Sequence, residues 1–141
     1  MTNTTIQKNL LDAYHTAEYH VDTLPPLILK IGVYSHELMR LYENSTCNSA
    51  AFVTAYNPAS QELANEINVA RNKKLEELIQ SQGYLYLYGA GRCAEDNDIG
   101  EISLLILGMD KETASDIGKQ FEQNAIVWCA GNAVPQLILL K

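Results

Sequence analysis

Between residues 50 and 130 the chain switches repeatedly between strand-like and helix-like spacing of its apolar residues, and this alternation constrains the fold most. Ala50 to Tyr56 is β-rich, with Phe52, Thr54 and Tyr56 on one side and Ala51, Val53 and Ala55 on the other. Asn57-Pro58 ends that run. Asn caps helices well and Pro suits the first helical position, so the next helix is expected to begin there. Leu63, Ile67, Ala70, Leu75, Leu78 and Ile79 form its expected buried stripe, and Gly83 its stop. Tyr84-Leu85-Tyr86-Leu87-Tyr88 alternates strictly and reads as a strand, followed by a glycine- and acid-containing loop from Gly89 to Gly100. Ile102 to Leu107 is a nearly continuous apolar run, the pattern of a strand buried on both faces. Asp110 is placed to cap a helix with Ala114, Ile117, Gly118 and Phe121 inward. Gly118 costs about 1 kcal/mol of helix propensity, and close approach of helix to sheet is the expected compensation. Ala125 to Ala130 reads as a strand, Gly131-Asn132 as a hairpin turn and Pro135 to Leu140 as its partner strand.

Strand, helix, strand, strand, helix, strand is the split βαβ of ferredoxin-like folds. The expected class is α/β (α+β): a ferredoxin-like βαββαβ core with an N-terminal helix-strand-helix addition and an extra C-terminal strand. The strands at 52–56 and 84–88 are expected to be parallel, adjacent or one strand apart, joined by a right-handed crossover. In the addition, Ile6, Leu10, Ala13, Tyr14, Ala17 and Val21 predict a helix over about 5–20. Pro25-Pro26 breaks the chain before a strand from Leu27 to Val33, and Ser35 caps a short helix. The first helix is expected on the sheet face opposite the two main helices, or against an oligomer contact; the Tyr84, Tyr86 and Tyr88 ladder is expected to pack beneath it or at a subunit interface. A length of 141 residues predicts one domain, 1–141.

Ten basic residues against 17 acidic ones, a net charge of −7, oppose a nucleic-acid backbone binder. The longest apolar runs are strand-sized, so no membrane span is expected. The polar N-terminus lacks the apolar core of a secretory signal. Cys47, Cys93 and Cys129 are widely spaced and contain no CxxC pair, so no zinc site is signalled, and reduced thiols in a cytoplasmic protein are expected. No cofactor is signalled.

Three strings then stand out: Phe52-Val53-Thr54-Ala55-Tyr56-Asn57-Pro58, Asn68-Val69-Ala70-Arg71 and Phe121-Glu122-Gln123-Asn124-Ala125-Ile126. In order and spacing they resemble the small bacterial proteins grouped as domain of unknown function 3293, from about Leu11 to Leu139. Glu101 matches the acid that the family carries before its penultimate strand. The aromatic often found just ahead of that acid is absent here, where Ile99 and Gly100 stand. The resemblance implies a single-domain soluble bacterial protein and no particular activity.

These strings direct attention to six polar residues, Thr54, Asn57, Arg71, Arg92, Glu101 and Gln123, as candidate ligand contacts. A strand running into a helix start would leave free N–H groups near Asn57, with Ser60 adding a donor. Asn68 and Arg71, three apart, share a helix face. Arg92 follows a glycine-rich turn that lacks the P-loop lysine and spacing. Glu101 abuts an apolar strand, where a carboxylate either pairs with Arg71 or Arg92 or acts as a general base. Gln123 and Asn124 end a helix and either cap carbonyls or reach the Asn57 region. Asp96, Asp98 and Glu101 do not have EF-hand spacing and read as a solvated acidic loop. His15 and His20, five apart, do not share a helix face, and Cys93 has no base beside it in sequence. Three functions follow: a small-ligand (anion or nucleotide) binding or regulatory module, a protein-interaction or homo-oligomerisation domain, or an enzyme using Glu101 as acid/base.

Overall fold

The computed structural model describes residues 4–92 and 100–141. Its elements are α1 (Lys8–Thr16), β1 (Glu18–Val21), β2 (Leu27–Leu29), α2 (His36–Ser45), β3 (Ala50–Val53), α3 (Asn65–Ser81), β4 (Tyr86–Arg92), β5 (Glu101–Leu107), α4 (Lys111–Gln120), β6 (Ala125–Cys129) and β7 (Pro135–Leu139). The strands form one seven-stranded sheet in the order β2-β1-β4-β5-β3-β6-β7, and every pairing is antiparallel. The chain is thus a mixed α+β protein. Strands β3 and β4 run parallel with β5 between them, the one-strand-apart arrangement.

Alternation along the strands divides the core in two. Ala51, Val53, Leu104, Ile106 and Ile126 pack against Leu75 and Ile79 of α3 and Ala114 and Ile117 of α4. Phe52, Leu105, Val127, Tyr19 and Val21 pack on the other face with Leu38 and Tyr42 of α2. Asp110 accepts from the Thr113 backbone N–H at 2.7 Å, capping α4. A Cβ on Gly118 would stand 2.6 Å from Leu140 Cδ1 and 2.7 Å from Ile126 Cγ2, so α4 approaches the sheet where glycine permits it.

Several boundaries differ from the sequence expectation. The first helix ends at Thr16 rather than near 20, because Glu18–Val21 forms a strand between β2 and β4, with Tyr19 and Val21 buried. The addition is therefore helix-strand-strand-helix. Strand β2 is only three residues long and stops well short of Val33. The expected loop after Tyr88 begins as strand, because Gly89 to Arg92 pairs with β1 and Gly89 to Gly91 also pairs with β5. Gly89 fits there because an added Cβ would meet the His20 carbonyl oxygen. The tyrosine ladder faces α3, not α1: Tyr86 and Tyr88 both donate to Glu76. Helix α1 lies on the α2 side of the sheet, where the Tyr14 carbonyl accepts from Tyr19 Oη (2.7 Å), yet none of its residues is fully buried.

Candidate functional site

The site begins where β3 leaves the sheet. Residues 55–57 no longer pair with a neighbouring strand, so their backbone polar groups need other partners. Side chains supply five of the six, and the Ser60 N–H donates to the sixth, the Asn57 carbonyl (2.8 Å). The Ala55 N–H donates to Asn72 Oδ1 (3.1 Å), and the Ala55 carbonyl accepts from Arg71 Nε (2.9 Å). The Tyr56 N–H donates to Thr54 Oγ1 (3.0 Å), and its carbonyl accepts from Gln123 Nε2 (3.1 Å). The Asn57 N–H donates to Asn68 Oδ1 (2.8 Å). Asn68 and Asn72 are buried on α3, whereas Ile67 and Val69 beside them are about half exposed. The expected apolar stripe therefore holds only from Leu75 onward. Over its first two turns α3 buries asparagines instead.

This bracing explains why the helix does not start at Pro58. Asn57 is left-handed (φ 46°), Pro58–Ser60 is a single 3-10 turn, and Ala59 (φ 53°) and Ser60 (φ 60°) are also left-handed. A left-handed non-glycine residue costs about 1–2 kcal/mol, so a turn with three of them persists only because its surroundings hold it. The Asn57 side chain is not a helix cap. Its Oδ1 accepts from the Leu63 N–H (3.0 Å) and from Asn68 Nδ2 (2.7 Å), which leaves Nδ2 to donate to Glu101 Oε2 (2.9 Å).

Glu101 opens β5 opposite Gly91 of β4, on the same sheet face as Phe52 and Tyr19. Among the described residues Asn57 is the hydrogen-bond partner of its carboxylate. Burial pushes the carboxyl above its ordinary value of 4.5, and the Asn57 hydrogen bond offsets part of the rise. The carboxylate faces a cleft of about 70 Å³ between α1 and the sheet. Its polar lining is Tyr14, Thr54, Asn57, Ser60, Ser103, Gln123 and Asn124; Tyr19, Phe52, Val127 and Leu137 supply apolar wall. Tyr14 Oη lies 2.5 Å from Ser60 Oγ, and Asn124 Nδ2 donates to both hydroxyls. A second depression of about 520 Å³, bordered by Leu63, Asn65 and Gly100, reaches Asn57 and Glu101 from the other side.

The structure brings four of the six sequence candidates together: Thr54, Asn57, Glu101 and Gln123 all line the cleft. The two arginines lie elsewhere. Arg71 does not pair with Glu101. It spans from the Ala55 carbonyl to the Phe121 carbonyl (2.7 Å), with Glu122 at 3.6 Å. Arg92 follows Gly91 on β4 and so points off the opposite sheet face, where its Nε donates to His20 Nε2 (3.1 Å). The expected arginine–Glu101 ion pair is thus replaced by an amide–carboxylate contact. Asp96, Asp98 and Cys93 lie outside the described residues. Among the described residues no group of three His, Cys, Asp or Glu could hold a metal, and no helix is long and apolar enough to cross a membrane. Tyr14, Ser103 and Asn72 belong to the assembly without having been singled out by the sequence. Only the spacing of Asn68 and Asn72, one helical turn apart, signalled a polar face on α3.

Comparison with known proteins gives one match: a family model described as Protein of unknown function (DUF3293) covers residues 53–126. The matched span runs from the last residue of β3 to the second residue of β6, and so contains Thr54, Asn57, Asn68, Arg71, Glu101 and Gln123 but not Tyr14, Tyr19 or Phe52 of the cleft. No curated protein matches the chain. No solved structure matches it either.

Proposed function

This chain belongs to the DUF3293 family, and we propose that it is a small-ligand-binding module whose site is the cleft around Glu101 and Asn57. The observation that carries the reading is the rigid delivery of convergent polar groups to a concave surface. Side chains hold five of the six backbone groups of residues 55–57, and the turn they fix aims one amide at a half-buried carboxylate. Preorganisation of this kind lowers the ordering cost of binding. The cleft offers on the order of five water-sized positions at about 10–15 Å³ each, room for a small polar molecule or one end of a larger one. With no Lys, Arg or His in the lining among the described residues, the chemistry favours a neutral or cationic ligand over the anion or nucleotide that exposed arginines would have suited. The same reading takes residues 50–129 as a ferredoxin-like unit; the order β4-β5-β3-β6 and the chain sequence strand-helix-strand-strand-helix-strand support it.

A thermal-shift screen of small polar metabolites tests the proposal, because a native-state binder raises the apparent stability. The control is Ala125→Leu, which adds bulk to a residue lining the cleft. The proposal requires hits whose shift disappears in that variant. A panel without hits, or hits indifferent to the substitution, refutes it. A second reading, acid–base catalysis by Glu101, draws on the raised carboxyl and its access to the cleft. In that case Glu101→Gln abolishes turnover of a bound compound while keeping its binding.

A further inference from the structure

We infer that the cleft selects a small organic cation, an alkylammonium or guanidinium head with a short apolar tail. This rests on the reading of the cleft as a ligand site. Among the described residues Glu101 is the one carboxylate in the lining, and no basic side chain lines the cleft with it. The two arginines that the sequence placed near it are engaged elsewhere, Arg71 on two backbone carbonyls and Arg92 on the opposite sheet face. A half-buried carboxylate without a cation carries a desolvation cost that the Asn57 hydrogen bond offsets only in part, and a bound cation would reduce the remainder.

The walls fit the same ligand. Tyr14, Tyr19 and Phe52 line the cleft together with the carboxylate, with Tyr19 and Phe52 edge-to-face at 5.3 Å between centroids. Aromatic faces attract a cation and repel an anion. Val127 and Leu137 continue the wall in apolar surface, which suits methylene groups but offers nothing to a second charge. A volume of about 70 Å³ suits a head group and a few carbons better than a whole nucleotide. The excess of negative charge over the whole chain steers cations in the same direction.

The test uses three near-isosteres that differ in charge: n-butylammonium, n-butanol and butyrate. Each is titrated at neutral pH into the ¹⁵N-labelled full chain while the side-chain amides of Asn57 and Asn124 are followed. Butylammonium is expected to shift both signals saturably and to bind about tenfold more tightly than butanol, as a charge-assisted contact should, with butyrate inert. Glu101→Gln should reduce butylammonium to the affinity of butanol. Phe52→Leu, which keeps the carboxylate and removes a ring, should weaken it by about threefold or more. The inference is overturned if butanol or butyrate binds as well as butylammonium, or if Glu101→Gln leaves butylammonium affinity unchanged. Butanol or butyrate moving the same amides with an affinity equal to that of butylammonium would overturn charge selection alone and leave the cleft as a ligand site. Silence from all three in a folded protein would overturn the charge inference and the cleft reading together.

Discussion

Removing the Arg71 guanidinium tests the bracing that builds the site. Arg71 donates to two backbone carbonyls, Ala55 and Phe121, and thereby ties the end of β3 to the end of α4. Hydrogen bonds from a charged donor contribute roughly 1.5–3 kcal/mol each. The two losses are unequal. The Phe121 carbonyl retains Gln123 Nε2 at 3.2 Å, whereas Ala55 is fully buried and its carbonyl would lose its side-chain donor. The Glu122 contact adds little, because that side chain is 67% exposed at 3.6 Å and such pairs contribute about 0–1 kcal/mol. Arg71→Met should therefore destabilise by about 2–4 kcal/mol in urea unfolding. Arg71→Lys, able to reach one carbonyl, should cost roughly half as much. Glu122→Gln should cost under about 0.5 kcal/mol. A Glu122→Gln effect as large as that of Arg71→Met would make the surface ion pair the true contribution and refute the carbonyl clamp. A coupling above about 0.5 kcal/mol between Arg71→Met and Glu101→Gln would restore the ion pair that the structure replaces.

Three further outcomes are expected. Gly118→Ala should destabilise by about 1–2 kcal/mol despite its better helix propensity, because its Cβ would crowd Leu140 and Ile126; a gain in denaturant midpoint would show that α4 yields freely. Burial pushes the Cys129 thiol up to about 12, so thiol labelling resolved by peptide mapping should modify Cys129 only after unfolding; rapid labelling of the native protein would contradict its packing. Because folding raises the Glu101 carboxyl above 4.5, the folded state binds more protons than the unfolded chain above that pH. The stability of the wild type relative to Glu101→Gln should then fall as pH rises from 4.5 through the folded value, as urea midpoints across that range would reveal; a constant or rising difference would contradict it.

Much of the fold was legible because its elements obey local rules. The Tyr86–Tyr88 alternation, the apolar run of β5 and the Asp110 cap each specify an element without help from distant residues. Strand β1 was not legible. Glu18-Tyr19-His20-Val21 continues a helical pattern, and only pairing with β2 and β4 makes it a strand, a long-range effect that local propensity does not carry. The helix start at Asn57-Pro58 failed for a related reason. Good capping chemistry was present, but Asn57 serves Leu63, Asn68 and Glu101 instead. At the site, the sequence singled out Thr54, Asn57, Glu101 and Gln123, yet an arginine's partner cannot be inferred from its type. Arg71 and Arg92 were natural partners for Glu101 by charge, and the backbone geometry at Ala55 and the pleat of β4 send them elsewhere.

The central claim is that Glu101 rests on Asn57 in a cleft, apart from both arginines. A ¹³C-detected titration of the Glu101 carboxyl, with the Asn57 side-chain amide followed in the same samples, tests it most directly. The account predicts a midpoint above 4.5, an Asn57 Nδ2 signal that moves with that midpoint, and a still higher midpoint in Asn57→Ala. A midpoint below 4.5, the mark of an arginine-paired carboxylate, or an Asn57 amide indifferent to the titration, would contradict it.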